Sequence, residues 1–130
     1  TVPILEAIYT PVTPYATLLP SAEIGELTVS EEVRLDGTPI YSGTTFSSNQ
    51  PVLFISFDYD NLANGLIWRH VWLHDGRLFD GATRIWEWSG RGRTFCCRRA
   101  GVGFPPGEYE VRLLIDEKVV RFARFAVVEP

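Results

Sequence analysis

The sequence predicts an all-β protein, a single antiparallel sandwich of about seven strands. Three observations carry this. Runs of alternating apolar and polar residues recur along the chain; turn dipeptides separate them at hairpin spacing; and no segment shows sustained 3.6-residue periodicity between helix caps. With 130 residues, 45% of them hydrophobic, the chain is the size of one ordinary domain and can bury a core without metals or a disulfide framework.

The first 21 residues carry Pro3, Pro11, Pro14 and Pro20 among threonines. Proline removes backbone donors and fixes φ, so this stretch favours extended polyproline-like backbone and is predicted to be a tether. Its apolar residues, Ile4, Leu5, Ile8, Tyr9, Leu18 and Leu19, exceed what a purely solvated linker needs, so part of it is expected to pack on the domain or a neighbour. The domain proper is expected over residues 22–130.

From Ile24 to Leu35 the pattern reads as a strand ending at Asp36-Gly37. Val52 to Tyr59 is a second, closed by the Asn61 to Gly65 turn, and Leu66 to His74 a third, closed by Asp75-Gly76. Arg77 to Trp88 is expected to hold one or two short strands around Gly81. Gly90 to Gly103 is expected to be a loop with a brief strand at Thr94 to Arg98. The end of the chain is the clearest part: FPPGEYEVRLLIDEKVVRFARFAVV alternates on both sides of Asp116-Glu117-Lys118 and predicts a β-hairpin. Tyr109, Val111, Leu113 and Ile115 form one buried stripe. In the returning strand Val120, Phe122, Ala126 and Val128 are placed as the second, with Phe125 and Val127 competing for the inward face.

The net charge of -4 and pI near 5.1 argue against a nucleic-acid or anionic-membrane surface spanning the domain. No run approaches the roughly 18 apolar residues of a membrane span, and no export signal opens the chain. Beginning at Thr1 and lacking methionine, it is expected to be a fragment or processed product of a larger parent. Cys96 and Cys97 are adjacent, a poor geometry for bonding to each other and no framework for stapling distant segments.

His70 and His74 stand four residues apart, the helical spacing of a metal pair, with Asp75 adjacent. In a strand, however, four residues span roughly 13 Å, too far for two ligands of one ion. No metal site and no cofactor are expected. Trp68, His70, Trp72 and His74 are predicted to share one strand face, and Trp86 and Trp88 a face of a neighbouring strand. Two roles compete for these tryptophans. They plug the sandwich core, or they line an open face able to stack on sugar rings or anchor a protein.

Arg91 and Arg93, with Arg84, Arg98 and Arg99, make the main basic concentration, and their forks suit phosphate or carboxylate. The sequence GRGR lacks the lysine and Ser/Thr of a phosphate-binding loop, so a solvated or salt-bridged loop is expected. Asp58, Asp60 and Asn61 offer oxygens but not the ligand series of a calcium loop. No catalytic signature is present.

Taken in order, the opening strand, the VLFISFDYDNLANGLIWRHVWLHDGRLF stretch, the W-x-W-x-G-x-G segment and the final Pro-Gly-Glu-Tyr hairpin resemble the immunoglobulin-like or fibronectin-III-like β-sandwich modules of bacterial multidomain exported and surface proteins. The resemblance covers about residues 22–129, and its strongest motif, Pro106-Gly107-Glu108-Tyr109-Glu110-Val111, specifies fold more than function. It implies a non-catalytic accessory or protein-interaction module, extracellular or on the cell surface, whose partners are neighbouring domains, proteins or a polysaccharide. The second expectation, a carbohydrate-binding module, uses the surface tryptophans. The residues assigned to ligand binding are Trp68, Trp72, Trp86, Trp88, His70, His74, Arg91 and Arg93. The distant cysteine pair of antibody domains is missing.

Overall fold

A computed structural model describes residues 21–87, 90–99 and 104–130, with backbone only for Gly90 and residues 95–99. The tether expected over the first 21 residues lies, up to residue 20, outside the described residues. So do Trp88 and the loop glycines 101 and 103.

Among the described residues ten strands run in chain order: β1 (Glu23–Ile24), β2 (Thr28–Val33), β3 (Pro39–Ser42), β4 (Thr45–Ser47), β5 (Val52–Leu62), β6 (Ile67–His74), β7 (Arg77–Ile85), β8 (Gly90–Arg99), β9 (Gly107–Ile115) and β10 (Lys118–Val128). They form two five-stranded sheets. In the first, β5 is flanked by β8 on one side and by β1, β2 and then β3 on the other; the second has the order β4-β10-β9-β6-β7. All pairs are antiparallel except β4 with β10, which is parallel. The result is the predicted all-β sandwich, and its connectivity is immunoglobulin-like. The chain crosses between sheets from β5 to β6, β7 to β8 and β8 to β9, so that central strands of the two layers face each other across one core.

The strand count rises above seven because one predicted segment is divided and two short strands were not foreseen. Ile24 to Leu35 becomes β1 and β2, two strands on the same edge of β5 whose registers differ by one residue around Gly25–Leu27. Two short strands, β3 and β4, follow it and pass the chain from one sheet to the other. One expectation is narrowed and another corrected. Arg77–Ile85 is one continuous strand through Gly81, because its ladder with β6 holds on both sides of that glycine. Gly90–Arg99 is a full edge strand paired along β5 rather than a loop, since complementary side chains on β5 meet its arginines.

The closing hairpin turns at Asp116 and Glu117, both in the left-handed region with φ of 52° and 67°. Such a turn matches the twist of its strands but strains non-glycine residues. An ion pair holds it, since Glu117 accepts from Arg69 Nη1 at 2.5 Å and the Arg69 side chain is buried beneath it. The stripe Tyr109, Val111, Leu113 and Ile115 is fully buried, as predicted. Val120 packs against the core as placed, but from Phe122 onward the returning stripe is the opposite of the expected one. Phe125 and Val127 point inward, whereas Phe122 and Val128 are exposed. The cause is a bulge between Val119 and Arg121, which advances the pairing by one residue and reverses every later side chain.

The core is filled from both ends by aromatic rings. Trp86 sits edge-on to Tyr59 and Trp68 at 4.8 and 5.7 Å at one end. At the other, Tyr109 stacks on Phe125 at 5.0 Å, with Phe104, Phe79 and Trp72 around the pair.

Candidate functional site

Strand β6 does place Trp68, His70, Trp72 and His74 on one face, but it is the core face, opposite Ile115, Leu113, Val111 and Tyr109 of β9. Trp68, Trp72 and Trp86 are 3, 0 and 1% exposed. No ring face of these three reaches solvent, so they cannot form the stacking platform assigned to them. The correction follows from sandwich geometry: a central strand packed against a second sheet gives its alternate residues to the core, and tryptophan releases the most apolar area there.

His70 is enclosed in the same layer. Trp72 Nε1 donates to His70 Nδ1 at 3.0 Å, which leaves the ring proton on Nε2 and the imidazole neutral. Burial first, and then the Arg84 guanidinium, push its pKa down from 6.5 to about 4, while Asp80 acts weakly in the opposite direction. Among the described residues its Nε2 and the Trp68 Nε1 find no hydrogen-bond acceptor. A ligand-binding role for His70 is not supported by this placement; the ring is a packing element.

His74 belongs to a corner at the far end of the strand. Its Nε2 donates to the Pro106 carbonyl at 3.0 Å and lies 3.4 Å from Asp75 Oδ2, and its ring stacks on Tyr109 at 4.7 Å. Asp75 in turn accepts from the Glu108 amide at 2.9 Å and donates its own amide to the Glu108 carbonyl at 2.7 Å. Tyr109 closes the corner by donating its hydroxyl to the Pro105 carbonyl at 2.6 Å. This tyrosine-to-upstream-carbonyl bond, where the chain enters a strand after crossing between sheets, is the corner device of immunoglobulin-type sandwiches. Gly107 makes it possible. Its φ is 148°, and a Cβ there would stand 2.5 Å from His74 Nε2. Gly107→Ala is therefore expected to destabilise the fold by about 1–3 kcal/mol, read as a lower denaturant midpoint at unchanged slope.

Arg91 and Arg93 face outward from β8 and meet acids placed directly opposite on β5. Arg91 pairs with Asp60 at 3.0 Å, and Arg93 with Asp58 at 2.7 Å, reaching Thr38 as well. The hydrogen bonds to these aspartates raise both guanidinium pKa values. Their forks are thus engaged within the sheet, and so are the oxygens of Asp58 and Asp60 that resembled calcium ligands. The matching i, i+2 spacing of Asp58 and Asp60 against Arg91 and Arg93 was the sequence signal for this ladder. Among the described residues no cluster of three His, Cys, Asp or Glu side chains has metal-binding geometry. The side chains of Cys96 and Cys97 lie outside what is described.

Among the described residues an open cleft of about 790 Å³ lies where β1, β5 and β8 of one sheet approach the start of β10 in the other. Ile24, Tyr59 and Val120 give it apolar walls; Glu23, Asp60, Arg91 and Arg121 give it a charged rim. Tyr59 reaches its position because Gly92 leaves room, a Cβ there meeting the Tyr59 hydroxyl at 2.6 Å. Sequence reading missed this place, since its walls come from four separated segments and carry no motif.

No protein-family model and no curated protein matches the chain. Among solved structures it is similar to the Pseudomonas fluorescens alkylpurine DNA glycosylase AlkC bound to DNA containing an abasic site analog. The TM-score is 0.53 at 12% identity, over 82% of this chain and 30% of that one. This chain therefore spans under a third of the glycosylase, and at such identity the likeness concerns the fold. A CARDB domain from Pyrococcus furiosus, in complex with di-metal ions, aligns over 88% of this chain and 100% of its own, with TM-score 0.46 and 12% identity.

Proposed function

We propose that this chain is a non-catalytic, protein-interaction module of a larger extracytoplasmic bacterial protein. One observation carries the reading. The side chains with chemical potential, His70, His74, Asp58, Asp60, Arg91 and Arg93, are each engaged in holding the sandwich together, while the open surface is a cleft beside a strand edge. A cleft with apolar walls and a charged rim is suited to recognition. The Thr/Pro-rich opening segment supports a place in a multidomain exported protein, and among the described residues no helix is long and apolar enough to cross a membrane.

The test is direct. Purified protein is incubated with chromogenic ester, phosphate and glycoside substrates and run through gels containing soluble polysaccharides. No turnover above buffer and no retardation are expected. Turnover that disappears on Arg121→Ala, in the cleft, or retardation by a polysaccharide, overturns the reading. Fractionation of cells expressing the parent protein tests location, and recovery in the cytoplasm alone refutes an exported one.

A further inference from the structure

The last strand leaves part of its edge open. Ala126 donates its amide to the Thr44 carbonyl at 2.8 Å, so its peptide groups point away from β9 and toward β4. Peptide groups alternate along a strand, which turns the N–H and C=O of Phe122 and Arg124 to that same side. Yet β4 pairs only with Ala126–Val128. Before Thr44 the chain has already crossed to the other sheet, where Gly43 donates to the Val29 carbonyl at 3.1 Å. From Lys118 to Arg124, β10 pairs with β9 on one side and, among the described residues, with no strand on the other, although β2 of the facing sheet approaches β10. At about 3.3 Å per residue this open stretch is roughly 23 Å long, the length of an ordinary strand.

Two further features adjoin the edge. The cleft is built partly from β10 itself, through Val120 and Arg121. An added strand would therefore send alternate side chains over Ile24 and Tyr59. Its other side chains would lie beside Val119 and Phe122, each 50% exposed on the outer face. The edge is also basic. Lys118, Arg121 and Arg124 lie along it; Arg124 reaches Glu110, and the Arg121 guanidinium donates to the Val120 carbonyl at 3.1 Å, meeting no carboxylate among the described residues.

We propose that the open edge of β10 and the adjoining cleft bind an extended acidic segment of a partner protein by strand addition. This deepens the interaction-module reading and rests on it. In such binding the backbone ladder gives affinity and pockets for alternate side chains give selectivity. Charge decides the occupant. Antiparallel pairing of β10 with a second copy sets Lys118, Arg121 and Arg124 against the same cations, which is unfavourable, and basic residues with a bulge are devices that prevent self-pairing. An acidic strand turns the same charges into attraction. Within the cleft Asp58 and Asp60 are already neutralised by Arg93 and Arg91, so small apolar side chains suit its walls.

The experiment uses a fluorescein-labelled octapeptide of alternating valine and glutamate, with an alternating valine–lysine peptide as its control, read by fluorescence polarisation. Saturable binding of the glutamate peptide, weakened by added salt, is expected, with none for the lysine peptide. The double variant Arg121→Glu/Arg124→Glu is expected to weaken binding at least about tenfold, roughly 1.4 kcal/mol, while unfolding stays cooperative. Phe122→Pro, which removes an outward amide, is expected to do the same. Amide NMR shifts should cluster at Phe122, Arg124 and Ile24. Equal binding of both peptides, no saturation at millimolar concentration, or shifts centred elsewhere overturns the proposal. So does a stable dimer by sedimentation, which makes a second copy the occupant, or binding seen only after deletion of residues 1–20, which makes this chain's own segment the occupant. Silent peptides together with silent substrate and polysaccharide assays remove the edge proposal alone; turnover or retardation in those assays removes the module reading.

Discussion

Tyr109→Ala lowers unfolding free energy by about 3–5 kcal/mol, among the largest effects expected of a single substitution in this domain. The ring is buried at the strand where the chain re-enters the second sheet, stacked on Phe125 at 5.0 Å and on His74 at 4.7 Å. Removing it empties a site bounded by the rings of Phe79, on β7, and Phe104, ahead of β9. Tyr109→Phe separates the two contributions. It keeps the ring and loses the bond to the Pro105 carbonyl, so a loss of about 1 kcal/mol is expected. Chemical denaturation of the three proteins measures both. An alanine variant with an unchanged midpoint would show that Tyr109 does not anchor the core, and equal losses in both variants would assign the whole effect to the hydroxyl.

Acid is the second strong lever, through His70. Its folded-state pKa is depressed to about 4 by burial and by Arg84, against 6.5 for an unhindered imidazole. Protonation also has to place a hydrogen on Nδ1, which already accepts from Trp72, so the charged ring loses that bond. The sign follows from proton linkage. Between pH 6.5 and 4 the unfolded chain binds a proton that the folded one refuses, so stability falls as pH falls and levels off below about 4. The full difference is on the order of 3 kcal/mol, at about 1.4 kcal/mol per pH unit. Glu110 adds a loss in a lower window. Hydrogen bonds from Arg124, and next from Arg112, hold its pKa below the usual carboxylate value, so its stabilisation is present above that value and vanishes as pH falls through the lowered pKa. Stability measured at intervals from pH 7 to 5 lies above the carboxylate window and isolates the histidine. His70→Gln keeps an acceptor near Trp72 and removes this group's titration; its curve should be flatter there than that of the parent protein. A wild-type curve equally flat would place His70 in contact with solvent.

The closing hairpin shows how far local pattern reaches. Tyr109 to Ile115 alternates strictly and its buried stripe was legible, because a regular strand fixes which side chains share a face. One strand later the same logic failed. Val120 is an extra residue in the ladder, and nothing in KVVRFARF marks where a bulge falls, because bulge position is set by how β10 meets β9 and β4 together. The edge strand β8 was missed for a related reason. Its glycines and arginines have weak strand propensity alone, and only Asp58 and Asp60 across the ladder give them partners.

The assigned binding residues divide along the same line. Residue type correctly marked Trp68, Trp72 and His70 as sharing a face, yet facing is relative, and strand alternation cannot say which face a second sheet will cover. Composition and periodicity by themselves determined an all-β sandwich, its main turns and the buried half of its final hairpin, since these depend on neighbours two residues apart. Tertiary structure alone decided that the tryptophans close the core and that the arginines bridge to β5. It also left, where β1 and β10 have no further paired strand among the described residues, the surface proposed above for recognition. Those outcomes depend on which distant segments satisfy each other's backbone and which are left over, and no local pattern records what is left over.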